Sequence, residues 1–264
     1  MRQYKKLSLP LTSYDLLKSS ALILMLIDHI GYYFFPDDLM WRSIGRACIP
    51  IWGFLIGYSL TRRNDPALWI GTALFAIIAF ISGDNLLPLS ILMTFILCRA
   101  CLPLMEHITL SGQKGTLALI VVLVVLNVPA TLLIQYGLQI FLFALAGRFY
   151  RVPNLSSSAG ISARMMMIIS IIYFILFQSV AFGFTQLEML IAFLGCLITG
   201  MFCLFFKEQI LQHLDDILPK PVKNILKICG RYTLEIYLMH ILILACLSQY
   251  MGIGDRLWFH PSLF

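Results

Sequence analysis

Leu16-Leu17-Lys18-Ser19-Ser20-Ala21-Leu22-Ile23-Leu24-Met25-Leu26-Ile27-Asp28-His29-Ile30-Gly31-Tyr32-Tyr33-Phe34-Phe35 is an apolar run with a carboxylate and an imidazole inside it. Its length matches the ~20 residues that cross a hydrocarbon core as a helix. An Asp at the centre of such a helix costs roughly 2.5–3.5 kcal/mol, so intramembrane ionisable groups point to function. Neighbours on a helix lie about 100° apart, which predicts that Asp28 and His29 face different partners.

The rest of the chain repeats the pattern. Of 264 residues, 60% are hydrophobic and 12% charged, a composition outside the range of ordinary soluble domains. Apolar blocks predict nine spans at about 15–35, 44–60, 67–82, 86–105, 116–129, 131–147, 164–183, 187–206 and 232–250, with the second and fifth short. The expected fold is therefore all-α, a polytopic integral membrane helical bundle forming a single domain over residues 1–264. The first span carries Asp28 and His29 and no small-x-small site follows it, so it reads as a retained helix rather than a signal peptide.

The net charge of +6 reports topology rather than nucleic acid, because the cations lie in the loops. With the N-terminus inside, 16 of the 19 Lys and Arg residues are cytoplasmic, and Arg42, Arg46 and Arg256 lie outside or at the outer edge. The positive-inside rule thus predicts nine spans, N-in and C-out. Residues 208–229 alternate apolar and polar positions, interrupted by Pro219 and Pro221, and read as an interfacial amphipathic helix. Asn154-Leu155-Ser156-Ser157-Ser158-Ala159-Gly160 reads as a flexible loop. The seven cysteines sit in or beside apolar spans, and the single Cys98-x-x-Cys101 pair is no zinc site. No metal is expected, and no inverted repeat is visible.

Four polar groups fall within spans. Asp28-His29 is the first. Gly45-Arg46, at the outer start of the second span, is the next; a buried Arg needs an anion, and Asp28 is the nearest in sequence and depth. In the ninth span Tyr237 and His240 stand at i and i+3 and share a face. Asn85 opens the fourth span, and Tyr136-Gly137-Leu138-Gln139 lies in the sixth; amides there can serve simply as interhelical hydrogen-bond partners. A His beside an acid is apparatus for taking a proton from a nucleophile, and a nearby Arg can hold an anion or a developing oxyanion. No Gly-x-Ser-x-Gly, Walker or dinucleotide motif occurs.

Lys18-x-x-Ala21-x-x-Leu24-Met25-x-x-Asp28-His29, followed by Gly45-Arg46-x-x-x-Pro50 and Gly57, resembles the opening of the F-pilin acetylase (TraX) family. Asn85 with Leu89 to Phe95, Tyr136-Gly137 and the Ile236-Tyr237-x-x-His240 ending are similar to later parts of it. The opening is also similar to the wider transmembrane acyltransferases. The resemblance implies transfer of an acetyl group from acetyl-CoA, in that family to the N-terminal amine of a pilin subunit in the inner membrane. It implies His29 as general base or transient acetyl carrier. Asp28 would orient it or hold a partner charge, and Arg46 would bind an anionic or carbonyl oxygen. Tyr237 and His240 would line the same cavity, with Lys18, Asn85 and Tyr136 binding substrate or donor. Arg62, Arg63, Arg148, Arg151 and Arg231 are the candidates for the nucleotide end of acetyl-CoA.

The expected protein is a multi-pass acetyltransferase of a bacterial inner membrane. Its acceptor is a pilin amine or a hydroxyl of an envelope glycan, and its partners are acetyl-CoA and lipid, not nucleic acid. A proton-coupled transporter and an assembly role in a secretion or pilus complex are the alternatives.

Overall fold

The computed structural model describes residues 9–59, 64–82 and 85–253. Among these residues the chain forms thirteen helices and only two isolated bridges, Thr12–Ile210 and Leu89–Ile134. Helix α1 is Ser13–Phe34, α2 Leu39–Gly45, α3 Cys48–Tyr58, α4 Pro66–Ser82, α5 Ile91–Leu110, α6 Gln113–Thr131 and α7 Gln139–Arg151. Then follow α8 Pro153–Ala159, α9 Ala163–Phe182, α10 Gln186–Leu204, α11 Gln212–Ile217, α12 Lys220–Arg231 and α13 Thr233–Tyr250.

The two shortest apolar helices are the centre of the molecule. α3 is buried from Cys48 to Tyr58 except at Trp52, and α7 is buried from Gln139 to Phe149. They pack against each other more closely than any other pair. At 11 and 13 residues they extend only about 16 and 20 Å, short of a ~30 Å core. A Cβ on Gly57 would overlap the Ala144 carbonyl, and one on Gly147 would overlap the Phe54 carbonyl. Glycine at both points lets the two backbones touch, as small residues do between membrane helices. Gly57→Ala is therefore expected to destabilise the fold by about 1–3 kcal/mol, since backbone rather than a flexible side chain must move. Unfolding of detergent-solubilised protein measures this; a Gly57→Ala variant as stable as its parent would contradict such close seating.

α1, α5, α9 and α10 surround the central pair, α12 and α13 pack on α1, and α4 packs on α5. α5, α6, α9, α10 and α13 are each long and apolar enough to cross a membrane, and α4 is a shorter apolar helix. α1 is long enough at 22 residues, but Lys18, Asp28 and His29 lower its hydropathy. The chain is a membrane protein with a helical bundle fold.

All nine predicted stretches contain helix, with instructive shifts. The second divides at Arg46-Ala47 into α2 and α3, because a continuous helix would drive the Pro50 ring into the Arg46 carbonyl. That carbonyl is met instead by the Ile49 N–H at 3.1 Å. The fifth is not short, since α6 has 19 residues. The sixth starts at Gln139 rather than 131, because Tyr136 and Gly137 take the left-handed conformation (φ 63° and 49°) and the Leu89–Ile134 bridge holds this stretch against residues 85–91. The fourth starts at Ile91 for the same reason.

Two further expectations are corrected. Residues 153–159 are helical rather than a flexible loop: Pro153 starts α8, Leu155 and Ala159 are buried one turn apart, and left-handed Gly160 ends it. Pro at the start and Gly just past the end is the ordinary asymmetry of helix termini. The amphipathic stretch 208–229 is two helices, α11 and α12, separated at Leu218-Pro219. Asp215 of α11 joins them by binding Lys227 at 2.8 Å.

Candidate functional site

α1 carries the site. Its N-terminus is fixed by a capping box in which Thr12 accepts from the Asp15 N–H and Asp15 accepts from the Thr12 N–H. Asp15 also receives the Arg231 guanidinium at 2.8 Å. Asp28 and His29 lie four to five turns further on, and their neighbouring positions send them to separate clusters.

Asp28 meets two cations. Arg42 Nη1 donates to its Oδ2 at 2.9 Å, and Arg46 Nη2 lies 3.8 Å from Oδ1. The approach depends on Gly45, where a Cβ would collide with the Asp28 side chain and backbone. Arg46 is 2% exposed and also donates to the Tyr136 hydroxyl. Its guanidinium stacks over the Tyr136 ring at 5.1 Å and the Phe182 ring at 4.6 Å, and Arg42 approaches Phe182 from 5.4 Å. The Tyr136 backbone is in the left-handed region, which a non-glycine residue adopts only under firm tertiary support. One carboxylate against two guanidinium groups leaves the cluster with a positive charge.

His29 meets α13. Its Nδ1 lies 2.7 Å from Nε2 of His240, and His240 Nδ1 lies 2.9 Å from the Ile236 carbonyl oxygen. A carbonyl only accepts, so His240 Nδ1 carries a proton. In the neutral pair His240 Nε2 is then the acceptor and His29 Nδ1 the donor. This leaves the lone pair of the couple on His29 Nε2. The Tyr237 ring stands 6.1 Å from His29 and 5.6 Å from His240, backed by Phe75 at 5.4 Å.

Both clusters border one cleft of about 1470 Å³ between α1 and α13 on one side and α3, α4 and α5 on the other. It follows α1 from Tyr14 and Lys18 to Tyr33 and Pro36, roughly 33 Å at 1.5 Å per residue. His29 lines it, and His240 stands behind His29. Several buried polar atoms on its walls make no hydrogen bond among the described residues. They are Asp28 Oδ1, Arg46 Nε and Nη2, Trp52 Nε1, Ser90 Oγ, Arg99 Nε and Gln178 Oε1. Buried polar groups are ordinarily satisfied, and a row of exceptions along a cavity marks where a polar ligand or water binds. Among the described residues no cluster of three or more His, Cys, Asp or Glu could hold a metal ion, and all seven cysteines are free thiols.

The remaining predicted site residues are more dispersed. Tyr136 and Tyr237 join the two clusters just described. Asn85 does not open a helix; it is exposed in the irregular segment before α5 and borders the cleft. Lys18 lies at the N-terminal end of α1, near the Tyr14 ring, and lines the other end. Of the nucleotide-end candidates, Arg148 is bound to Glu106 at 2.7 Å, Arg151 to the Tyr58 hydroxyl at 2.7 Å, and Arg231 to Asp15. Arg62 and Arg63 lie outside the described residues. Arg42 and Gln178 were not expected at the site. The four-residue spacing of Arg42 and Arg46 is the sequence signal for the first; a lone Gln in an apolar helix gives none for the second.

No solved structure matches the chain. Over 238 residues it is 26% identical to a protein of Rickettsia prowazekii (strain Madrid E) described as "Uncharacterized protein RP591", an alignment covering 89% of this chain and 92% of that one. The family profile described as "TraX protein" matches residues 13–248. That range begins at the first residue of α1 and ends two residues short of the end of α13, so it takes in both clusters and all of the cleft lining except Gln249 and Ile253, and the chain belongs to the TraX family.

Proposed function

We propose that the protein is an integral membrane acetyltransferase. The observation that carries this reading is the ordered pair His29–His240: a base fronts a cleft, its tautomer is fixed by a second imidazole, and that imidazole is fixed by a backbone carbonyl. This is the relation of base to orienting group in acyl-transfer sites. The buried Nε and Nη2 of Arg46, which make no hydrogen bond among the described residues, suit a carbonyl oxygen that gains negative charge.

In this reading the acceptor amine or hydroxyl attacks the thioester carbonyl carbon of acetyl-CoA. A bond forms from acceptor to acyl carbon, and His29 Nε2 takes the acceptor's proton. The carbon–sulfur bond breaks, and the proton passes from His29 to the departing sulfur, giving free thiol and acetylated acceptor. His29 returns to its starting state, and no acetyl-His is needed. His240 acts as a positioning residue. Arg46 meets the reacting oxygen, and Asp28 holds Arg42 and Arg46 in place. Tyr136 orients Arg46, and Tyr237 packs the histidine pair.

The nine-span, N-in arrangement in a bacterial inner membrane belongs to the same proposal. It turns the Lys18 end of the cleft to the cytoplasm, where acetyl-CoA is made, and the Pro36 end outward, where a processed pilin amine or an envelope glycan is presented. Lys18 and Asn85 then border the donor and acceptor entrances of a single domain spanning residues 1–264.

A cleft that follows α1 from end to end also suits a proton-coupled transporter. Purified protein in nanodiscs, given acetyl-CoA labelled in the acetyl group, separates the two readings. Release of free thiol, by transfer or slow hydrolysis, is expected. Folded protein that neither binds nor turns over acetyl-CoA, but moves a solute with protons, would overturn the acetyltransferase.

A further inference from the structure

Arg99 on α5 presents a guanidinium to the cleft, and its buried Nε has no hydrogen-bond partner among the described residues. Besides Asp28, two carboxylates among the described residues border the cleft: Glu235 on α13 is exposed, and Asp65 accepts from the Ala67 N–H at 2.9 Å through Oδ1 and acts on Arg99 as a nearby charge without an ion pair within 4 Å. Arg148, Arg151 and Arg231 are held in the pairs given above. Among the described residues Arg99 is thus a cation of the cleft wall with no ion pair within 4 Å and no hydrogen bond to its Nε.

Its depth is set by a chain of contacts. The Ile91 N–H donates to the Gln135 side chain at 3.1 Å, and Tyr136 next to it receives Arg46, which meets Asp28. The start of α5 is therefore level with the Asp28–His29 part of α1. Arg99 lies eight residues further along α5, roughly 12 Å away from that level at 1.5 Å per residue. Trp52 lies between: it is six residues beyond Arg46, its indole Nε1 is buried without a hydrogen-bond partner, and it lines the same wall. A guanidinium, then an indole N–H donor, then the histidine pair follow one another along the cleft.

We infer that this limb of the cleft is the donor subsite, with Arg99 binding a phosphate of the acyl donor and Trp52 donating to an amide oxygen of the chain that links phosphate to thioester. The inference rests on the acetyltransferase reading and names residues for a part of the donor to which that reading assigned none. Arg99 suits a phosphate because a guanidinium gives two parallel donors in a fixed plane. Trp52 suits an amide oxygen because indole only donates.

The test is binding of coenzyme A and of pantetheine, which keeps the amides and lacks the phosphates, to protein in phosphatidylcholine nanodiscs. Arg99→Gln is expected to weaken coenzyme A about tenfold, the value of a hydrogen bond to a charged group, and to leave pantetheine unchanged. Arg99→Lys, which keeps the charge, is expected to bind coenzyme A more tightly than Arg99→Gln. Trp52→Phe is expected to weaken both ligands to a similar degree, about fivefold. Equal losses of both ligands in Arg99→Gln would make Arg99 a structural residue and overturn the inference. So would unchanged coenzyme A binding in Arg99→Gln together with loss of a stabilisation that added phosphatidylglycerol gives the wild type, which would assign Arg99 to a lipid headgroup. In either case wild-type binding of coenzyme A leaves the acetyltransferase standing. Wild-type protein that binds neither ligand removes both readings.

Discussion

Replacing His29 by Ala or Asn is expected to lower acetyl transfer by a factor of about 10²–10⁴, the usual contribution of a positioned general base, while the protein still inserts and folds. The reason is specific to the geometry. His29 is the member of the couple that lines the cleft, and its Nδ1 is already committed to His240 at 2.7 Å. Nε2 is the nitrogen left to receive a proton. Asn keeps a donor for His240 and supplies no base, so His29→Asn tests the proton transfer with less disturbance of packing than His29→Ala. His240→Ala is expected to reduce turnover less, because His29 keeps its lone pair and loses only its orientation. Single-turnover kinetics on monodisperse protein in nanodiscs gives the comparison. Wild-type-like turnover in a well-folded His29→Ala variant would sink the assignment of the base, and a larger loss in His240→Ala than in His29→Ala would exchange their roles.

Much of the site was legible because a polar residue in an apolar run is conspicuous. Asp28, His29, Arg46 and His240 stand out against Leu and Ile neighbours, and the structure gathers all four within two adjoining clusters. The helices themselves were legible by length and hydropathy. The misreadings share one cause: local pattern does not report which partner an element meets. The 44–60 block looks like one span, yet Pro50 and the Asp28–Arg46 contact bend it into two helices. The 131–147 block looks like a full span, yet Tyr136-Gly137 turns and the helix begins at Gln139. Both truncated pieces are the most buried helices, where contact between α3 and α7 replaces lipid. Residues 153–159 read as a loop from three serines, although Leu155 and Ala159 each bury a face. Arg42 counted as a loop charge until α2 folded it onto Asp28, and Arg99 counted as a topology signal until the cleft exposed its guanidinium. Charge excess by itself does not separate a cation that sets orientation from one that faces a cavity.

Arg42 changes what is expected of the buried ion cluster. With a simple Asp28–Arg46 pair, removing either member would leave one uncompensated charge and cost about the same. Here Asp28 is shared, and the two deletions differ. Arg46→Ala leaves Asp28 bound to Arg42 at 2.9 Å, so the carboxylate remains neutralised and the main losses are the Tyr136 bond and the stacking on Phe182. Asp28→Ala leaves two guanidinium groups facing each other with no anion among their contacts, in a site where Arg46 is 2% exposed. Removing one partner of a buried pair costs about 3–5 kcal/mol, and repulsion between the remaining like charges adds to it. Asp28→Ala is therefore expected to be the most destabilising single change in the site, exceeding Arg46→Ala. The double variant Asp28→Ala/Arg46→Ala is expected to be more stable than Asp28→Ala alone, because it removes one of the two stranded cations. A double-mutant cycle on unfolding in detergent measures the coupling, and additive losses would show that Asp28 and Arg46 do not interact. The same cycle on turnover separates support from chemistry. If Arg46 meets the reacting oxygen, removing it abolishes transfer whether or not Asp28 is present, so the double variant regains stability and not activity. Recovery of both together would place Arg46 in the scaffold and leave the electrophilic role to Arg42.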